Sequence, residues 1–176
     1  MKFYRAIWLM TGALLFCITS MAQADSNQSG KYSMPPVNNQ QYQDECGACH
    51  FAYQPGFLPS SSWRKVMENL ADHFGENAEL SDAVRQSLTS YLEKNAADKS
   101  SAYLSGKVMR SLPRNGTVLK ISKIGFMVRE HEDIPRRVFT KDFPGISNCK
   151  ACHQRANEGS YRENEIKIPG YGRWDD

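Results

Sequence analysis

Two stretches of the chain place apolar residues at helical spacing. Within residues 62–75, Trp63, Met67, Leu70 and Phe74 fall on one face, with Val66 and His73 along its edge. Ser62 is a candidate N-cap and Gly75 a candidate stop. The pattern predicts a helix that carries His73 toward its apolar side near the end. Within residues 82–95, Val84, Leu88, Tyr91 and Leu92 line an apolar face behind a Ser81 cap. A weaker signal follows: Ile124, Met127, Val128 and His131 stand at i, i+3, i+4 and i+7, which predicts a short helical turn before Pro135. Residues 117–124 fit a short strand or the start of that turn equally well. Residues 54–61, 112–116 and 139–147 carry Pro and Gly and read as loops, and the polar stretch 98–107 reads as a connection. The expected fold is mostly α, with a helical N-terminal unit at 43–97 and a smaller, irregular C-terminal unit at 98–176. Residues 25–42, polar and bearing Pro35-Pro36, are expected to be a flexible segment that stiffens near the prolines.

The N-terminus bears on compartment. Lys2 and Arg5 precede an apolar run from Ala6 to Ile18, shorter than the about 20 residues a membrane span needs. Ala22-Gln23-Ala24 then offers a small-x-small cleavage pattern. Residues 1–24 read as a secretory signal cleaved after Ala24, which implies a periplasmic protein without stable membrane insertion. The alternatives are an uncleaved anchor or a lipid anchor at Cys17, the latter disfavoured by bulky Phe16 before it. The formal charge of the chain is +3, and removing Lys2 and Arg5 leaves +1. Nothing in that balance supplies the basic patch that nucleic acid requires.

Four cysteines then remain, and all sit in two copies of one motif. ECGACH ends at His50 and NCKACH ends at His153, with 99 residues between Cys49 and Cys149. Structural zinc pairs such motifs at about 15–20 residues, and a thioredoxin-like dithiol uses one motif beside a βαβ pattern. A disulfide across two residues is strained and closes almost no loop. The histidine directly after the second cysteine marks covalent haem attachment. Two thiols at this spacing reach the two vinyl groups on one porphyrin edge, and the next residue lies under the ring, where an imidazole binds iron. Cys46, Cys49 and His50 would hold one haem, and Cys149, Cys152 and His153 the other. Residues 46–51 should accordingly begin a helix, so that cysteine and histidine share a side.

Each iron has a second axial position. The chain has four histidines, so His73 and His131 are the spare ones, and bis-histidine ligation at both irons accounts for all four. Either could instead be an ordinary exposed histidine: His73 at a helix end, His131 among Glu130, Glu132 and Asp133. Methionine is the rival ligand. Met67 and Met127 have core-facing places in the helical patterns, which leaves Met109 as the best spare beside Met34. After His153, Ile166, Ile168, Tyr171 and Trp174 are candidates to cover the second haem.

The stretches ECGACHFAYQPGFLP, LADHFGENAELSDAVRQSLTSYL, FMVREHEDI and NCKACH, in this order, resemble the bacterial dihaem cytochrome c family of small periplasmic proteins. The first half is similar to a class I cytochrome c, with LSDAVRQSLTSYL in the place of that fold's last helix. The resemblance implies two haem c groups, both bis-histidine, in two mostly helical domains. It pairs His50 with His73 and His153 with His131, the assignment to each iron following sequence order. Its partners would be redox proteins, such as an oxygen-binding monohaem cytochrome or a membrane cytochrome b, met by a monomer. Two departures concern packing alone: Phe51 where methionine is expected, and Gly125 where a larger residue is expected.

The function these readings imply is electron transfer rather than catalysis, since two histidines per iron leave no site for a substrate. The alternative is a peroxidase-like haem enzyme or gas-binding protein with one open iron, and His131 in its charged surroundings is the ligand to leave. With four propionates and two ferric porphyrin cores, the +1 becomes about −1.

Overall fold

The computed structural model describes residues 30–114, 117–139 and 145–173. The expected signal, the tip of the 112–116 turn, most of the 139–147 loop and Trp174 lie outside them. Six helices occur among the described residues: α1 (Gln40–Gly47), α2 (Ser60–Glu68), α3 (Asp82–Lys94), α4 (Tyr103–Ser111), α5 (Gly125–Arg129) and α6 (Cys149–Cys152). Short 3₁₀ turns link them, and β1 (Lys167–Ile168) pairs antiparallel with β2 (Gly172–Arg173). No helix among the described residues is long and apolar enough to cross a membrane.

The first motif ends a helix rather than beginning one. Asn39 caps α1, its side chain accepting the Tyr42 N–H at 2.9 Å. Tyr42 is the one buried residue of α1. Its hydroxyl donates to the Tyr53 carbonyl at 2.9 Å, and its ring lies 5.6 Å from that of Tyr91 on α3. The segment expected to be flexible is thus engaged from its described start: Met34 is 3% exposed, and its N–H donates to the Gly159 carbonyl at 2.8 Å. Gly159 has φ +79°, and a Cβ there would lie 1.9 Å from the Met34 carbonyl oxygen, so this crossing demands glycine.

The helix expected at 62–75 starts earlier and stops sooner. Pro59 supplies an extended entry, and Asp98 caps the start, its carboxylate accepting the Ser60 N–H at 2.7 Å and hydroxyl at 2.7 Å. Asn69 then leaves helical geometry at φ −124°, ψ 44°. Its side chain donates to the Asp72 carbonyl at 3.0 Å, and the Asp72 carboxylate accepts the Gly75 N–H at 3.0 Å. Such local side-chain bonds compete with the helical ladder. A 3₁₀ turn, Leu70–Asp72, follows instead. The predicted apolar face buries Trp63, Val66, Met67 and Leu70, but Phe74 lies 48% exposed. α3 follows the pattern closely: Ser81 caps it, and Leu88 and Leu92 are fully buried.

The stretch read as a polar connection contains α4, whose Leu104, Ser105 and Val108 are buried. The Ser105 hydroxyl donates to the Gly56 carbonyl at 3.0 Å. Residues 117–124 form neither strand nor helix start; a 3₁₀ turn at Ile121–Lys123 leads into α5. Ile124 is fully buried, whereas Val128, placed with it by the i, i+4 pattern, is 48% exposed. One buried cluster joins Met34, Leu88 and Leu92 with Leu104, Val108, Ile124 and Phe126, on both sides of the boundary expected at 97. Each fully buried aliphatic side chain of this cluster contributes about 1.5–3 kcal/mol.

Asp98→Ala removes the cap of α2 and is expected to cost about 1 kcal/mol at neutral pH in chemical denaturation. Burial pushes the Asp98 pKa up, but the Ser60 N–H and hydroxyl outweigh it and hold the carboxyl below its usual value. A depressed carboxylate pKa stabilises the fold above the unfolded value of about 3.9, and that contribution fades as pH falls through the lower folded value. The gap between variant and parent should therefore persist at pH 5 to 8 and close in more acidic solution.

Candidate functional site

At the first site, Cys46 lies in the last turn of α1, with Cys49 and His50 just beyond it. His50 Nδ1 stands 2.8 Å from the Phe51 carbonyl oxygen. With a carbonyl as acceptor, Nδ1 carries the hydrogen and Nε2 is free to bind. The premature end of α2 delivers His73 opposite, outside any helix. The His73–Glu76 turn is closed by the His73 N–H donating to the Glu76 carbonyl at 2.7 Å, and Phe74 takes φ +58° within it. The His50 and His73 rings face each other with centres 6.0 Å apart and planes 18° from parallel. Burial, and then the neighbouring His50, lowers the His73 pKa. Both rings open on a cavity lined by Cys46, Cys49, Trp63, Met67, Leu70 and Leu92.

The second site is more enclosed. α6 spans the Cys149–Cys152 pair, and the His153 N–H donates to the Cys149 carbonyl at 2.8 Å. His131 follows α5 in a turn, its Nδ1 2.7 Å from the Met127 carbonyl oxygen. The His131 and His153 rings have centres 6.1 Å apart, with planes at 77°. Burial, and then His131, holds the His153 pKa down to about 4. His153 Nδ1 is sealed from solvent without a hydrogen-bond partner. Burial also pushes the thiols up, Cys149 to about 12 and Cys46, with Glu45 adding, to about 11. Phe57, Leu104, Phe126, Met127, Ile166 and Ile168 line this cavity.

The structure therefore gathers Cys46, Cys49, His50 and His73 in one cavity and Cys149, Cys152, His153 and His131 in another. A metal held about 2 Å from each of two imidazole nitrogens sets their ring centres about 6 Å apart, so both pairs fit an iron between them. Of the rival ligands, Met67 and Met127 line the cavities. Met109 lines neither and is 37% exposed, and Met34 is buried in the core cluster. Ile166 and Ile168 cover the second cavity as expected, but Tyr171 does not line it and is 41% exposed beneath Arg137.

No local pattern assigns a role to three residues at or beside these sites. Gln54, 1% exposed in a stretch read as loop, donates to the Ala156 carbonyl at 2.6 Å and accepts the Tyr161 hydroxyl. Tyr161 packs its ring 5.2 Å from that of His153, and burial raises its pKa, with Cys149 adding and Gln54 opposing. Tyr53, raised to about 12 by burial and then Cys149, stands between the sites. The hydrogen bonds that hold their side chains across the two halves span 94 to 107 residues, beyond any local pattern.

Apolar cavities with a pair of thiols and two facing imidazoles suit covalently held haem, and two of them in a mostly helical chain define a c-type cytochrome. Residues 42–161 match the family model for dihaem cytochrome c, and the chain belongs to that family, whose cofactor is two haem groups. Solved structures agree. The dihaem cytochrome c of Shewanella baltica OS155 is 35% identical, with a TM-score of 0.64 over 79% of this chain and 99% of its own. A dihaem cytochrome c from Rhodobacter sphaeroides is 39% identical, with a TM-score of 0.65 over 72% of this chain and 99% of its own. No curated protein sequence matches the chain.

Gln54→Ala leaves the Tyr161 hydroxyl without its acceptor, while the Ala156 carbonyl keeps the Gly159 N–H at 2.9 Å. An unmatched buried group costs about 1–3 kcal/mol, and the variant should lose about that much in denaturant unfolding. Hydrogen-exchange protection should fall more at residues 153–161 than within α3.

Proposed function

We propose that this protein carries electrons between periplasmic redox proteins through two haems, each held by histidine on both faces. The reading rests on one observation, the two facing imidazole pairs at 6.0 and 6.1 Å. Cys46 and Cys49 would anchor one haem and Cys149 and Cys152 the other. His50 with His73, and His153 with His131, would fill the axial positions. When bound, the haems supply reversible one-electron chemistry; the protein supplies position and potential. The carbonyls of Phe51 and Met127 fix the tautomers of His50 and His131, so that Nε2 of each points its lone pair outward. Histidine on both faces sets lower potentials than a His/Met pair and leaves no position for a substrate. The apolar linings of Trp63, Met67 and Leu70, and of Phe57, Phe126 and Ile168, exclude water from the porphyrin faces. Partners would be other redox proteins, an oxygen-binding monohaem cytochrome or a membrane cytochrome b among them, met transiently by a monomer.

Carbon monoxide tests the reading. The dithionite-reduced protein should give a c-type visible spectrum that carbon monoxide does not move. A wild-type spectrum that shifts would reveal an open iron and point to the gas-binding or peroxidase-like alternative. His131→Ala should open one haem of the two to carbon monoxide, and His131→Met should raise the potential of that haem alone. Near-parallel rings at one site and near-perpendicular rings at the other should give two distinct low-spin ferric signals in electron paramagnetic resonance.

A further inference from the structure

The two cavities share a wall. Tyr53, Ile121, Ser122 and Ser147 line both of them, and Tyr53 is the aromatic residue of the four. Its ring centre lies 5.3 Å from that of His50, and Phe51 meets the ring edge-on at 5.5 Å. Its hydroxyl donates to the Ser147 carbonyl at 2.5 Å, two residues before Cys149. Its own carbonyl accepts the hydroxyl of Tyr42, on the helix that bears Cys46. One residue therefore touches an imidazole of the first site, braces the helix leading into it and tethers the attachment segment of the second.

We propose that Tyr53 is a positioning residue for one-electron exchange between the two haem sites. Its ring lines the wall they share, and its hydroxyl ties the second attachment segment to the first. The proposal rests on the electron-carrier reading above. In each exchange one site is oxidised and the other reduced by a single electron. No bond to Tyr53 forms or breaks, and its proton stays on the hydroxyl, because a backbone carbonyl accepts a hydrogen bond but not the proton. The wall leaves Tyr53 alone in this role: Ile121 and Ser122 sit in a 3₁₀ turn, and none of the other three residues has a ring contact with a histidine.

The test compares the dihaem forms of the parent, Tyr53→Phe and Tyr53→Ala. Flash photolysis injects one electron into the oxidised protein and follows its redistribution between the haems. The Phe variant keeps the ring and loses only the tether, and its exchange should slow. The Ala variant loses both, and its rate should fall by about tenfold or more, as small misplacements of reacting centres do. Thermal midpoints measured alongside separate this from packing, since a purely structural role lowers the midpoint and leaves the exchange rate unchanged. A Phe variant with both haems, a carbon monoxide-insensitive spectrum and the parental exchange rate overturns the proposal. Carbon monoxide binding by the parent itself would instead sink the electron-carrier reading, so the two failures are told apart.

Discussion

Two imidazole rings held 6.0 Å apart at one place, and two held 6.1 Å apart at another, are the constraint to which the rest of the structure answers. Each pair joins a histidine dictated by its motif to one that must arrive from elsewhere. Both arrivals use the same device. A short helix stops, and the histidine follows in a turn rather than within the helix. α2 stops because Asn69 and Asp72 spend their side chains on local backbone groups. α5 stops after five residues, and His131 then bonds back to Met127 through Nδ1. A ring mounted past a helix end takes its direction from loop geometry rather than from a helical face. The strained backbone of Phe74, beside His73, marks where that turning is sharpest.

The candidate ligands were readable because chemistry constrains them locally. A Cys-x-x-Cys-His spacing follows from porphyrin dimensions, and four histidines for four axial positions leave little to distribute. α3 was readable because Ser81 caps it and its apolar period is undisturbed. Two of the misjudged elements have their deciding partner outside their own segment. The start of α2 depends on Asp98, which no pattern around Ser60 announces. α1 looked like loop because it is polar and buries only Tyr42, whose partners are Tyr53 and Tyr91. α4 carried a signal that its polar neighbours obscured: Leu104 and Val108 stand four apart and face inward. Val128 shows the converse, an apolar residue at correct spacing on a helix too short to bury it.

The two sites differ in kind although their motifs are alike. Cys49 and His50 are exposed at the first, beside the helical core of α2 and α3. At the second, His153 is enclosed by Tyr161, Ile166 and the residues after α5, few of which belong to regular structure. What replaces helical packing there is polar linkage. Gln54 reaches Ala156 and Tyr161 from the first half of the chain, and Tyr53 reaches Ser147. Buried bonds of this kind specify one arrangement, because any other leaves a donor or acceptor unmatched.

The crossing of Met34 over Gly159 has a temporal meaning. Backbone bonds join Met34 to Gly159 and Tyr161 to Tyr32, so a segment near the start of the described chain is closed by one near its end. Gln54 adds contacts across 102 and 107 residues. Loop closure over such distances is costly in entropy and slow, and it comes after local helices have formed. The enclosure around the second motif is therefore expected to close late in folding, which time-resolved hydrogen exchange would check. Until Gly159 meets Met34, the thiols of Cys149 and Cys152, half-buried in the finished fold, should be more open to whatever must react with them.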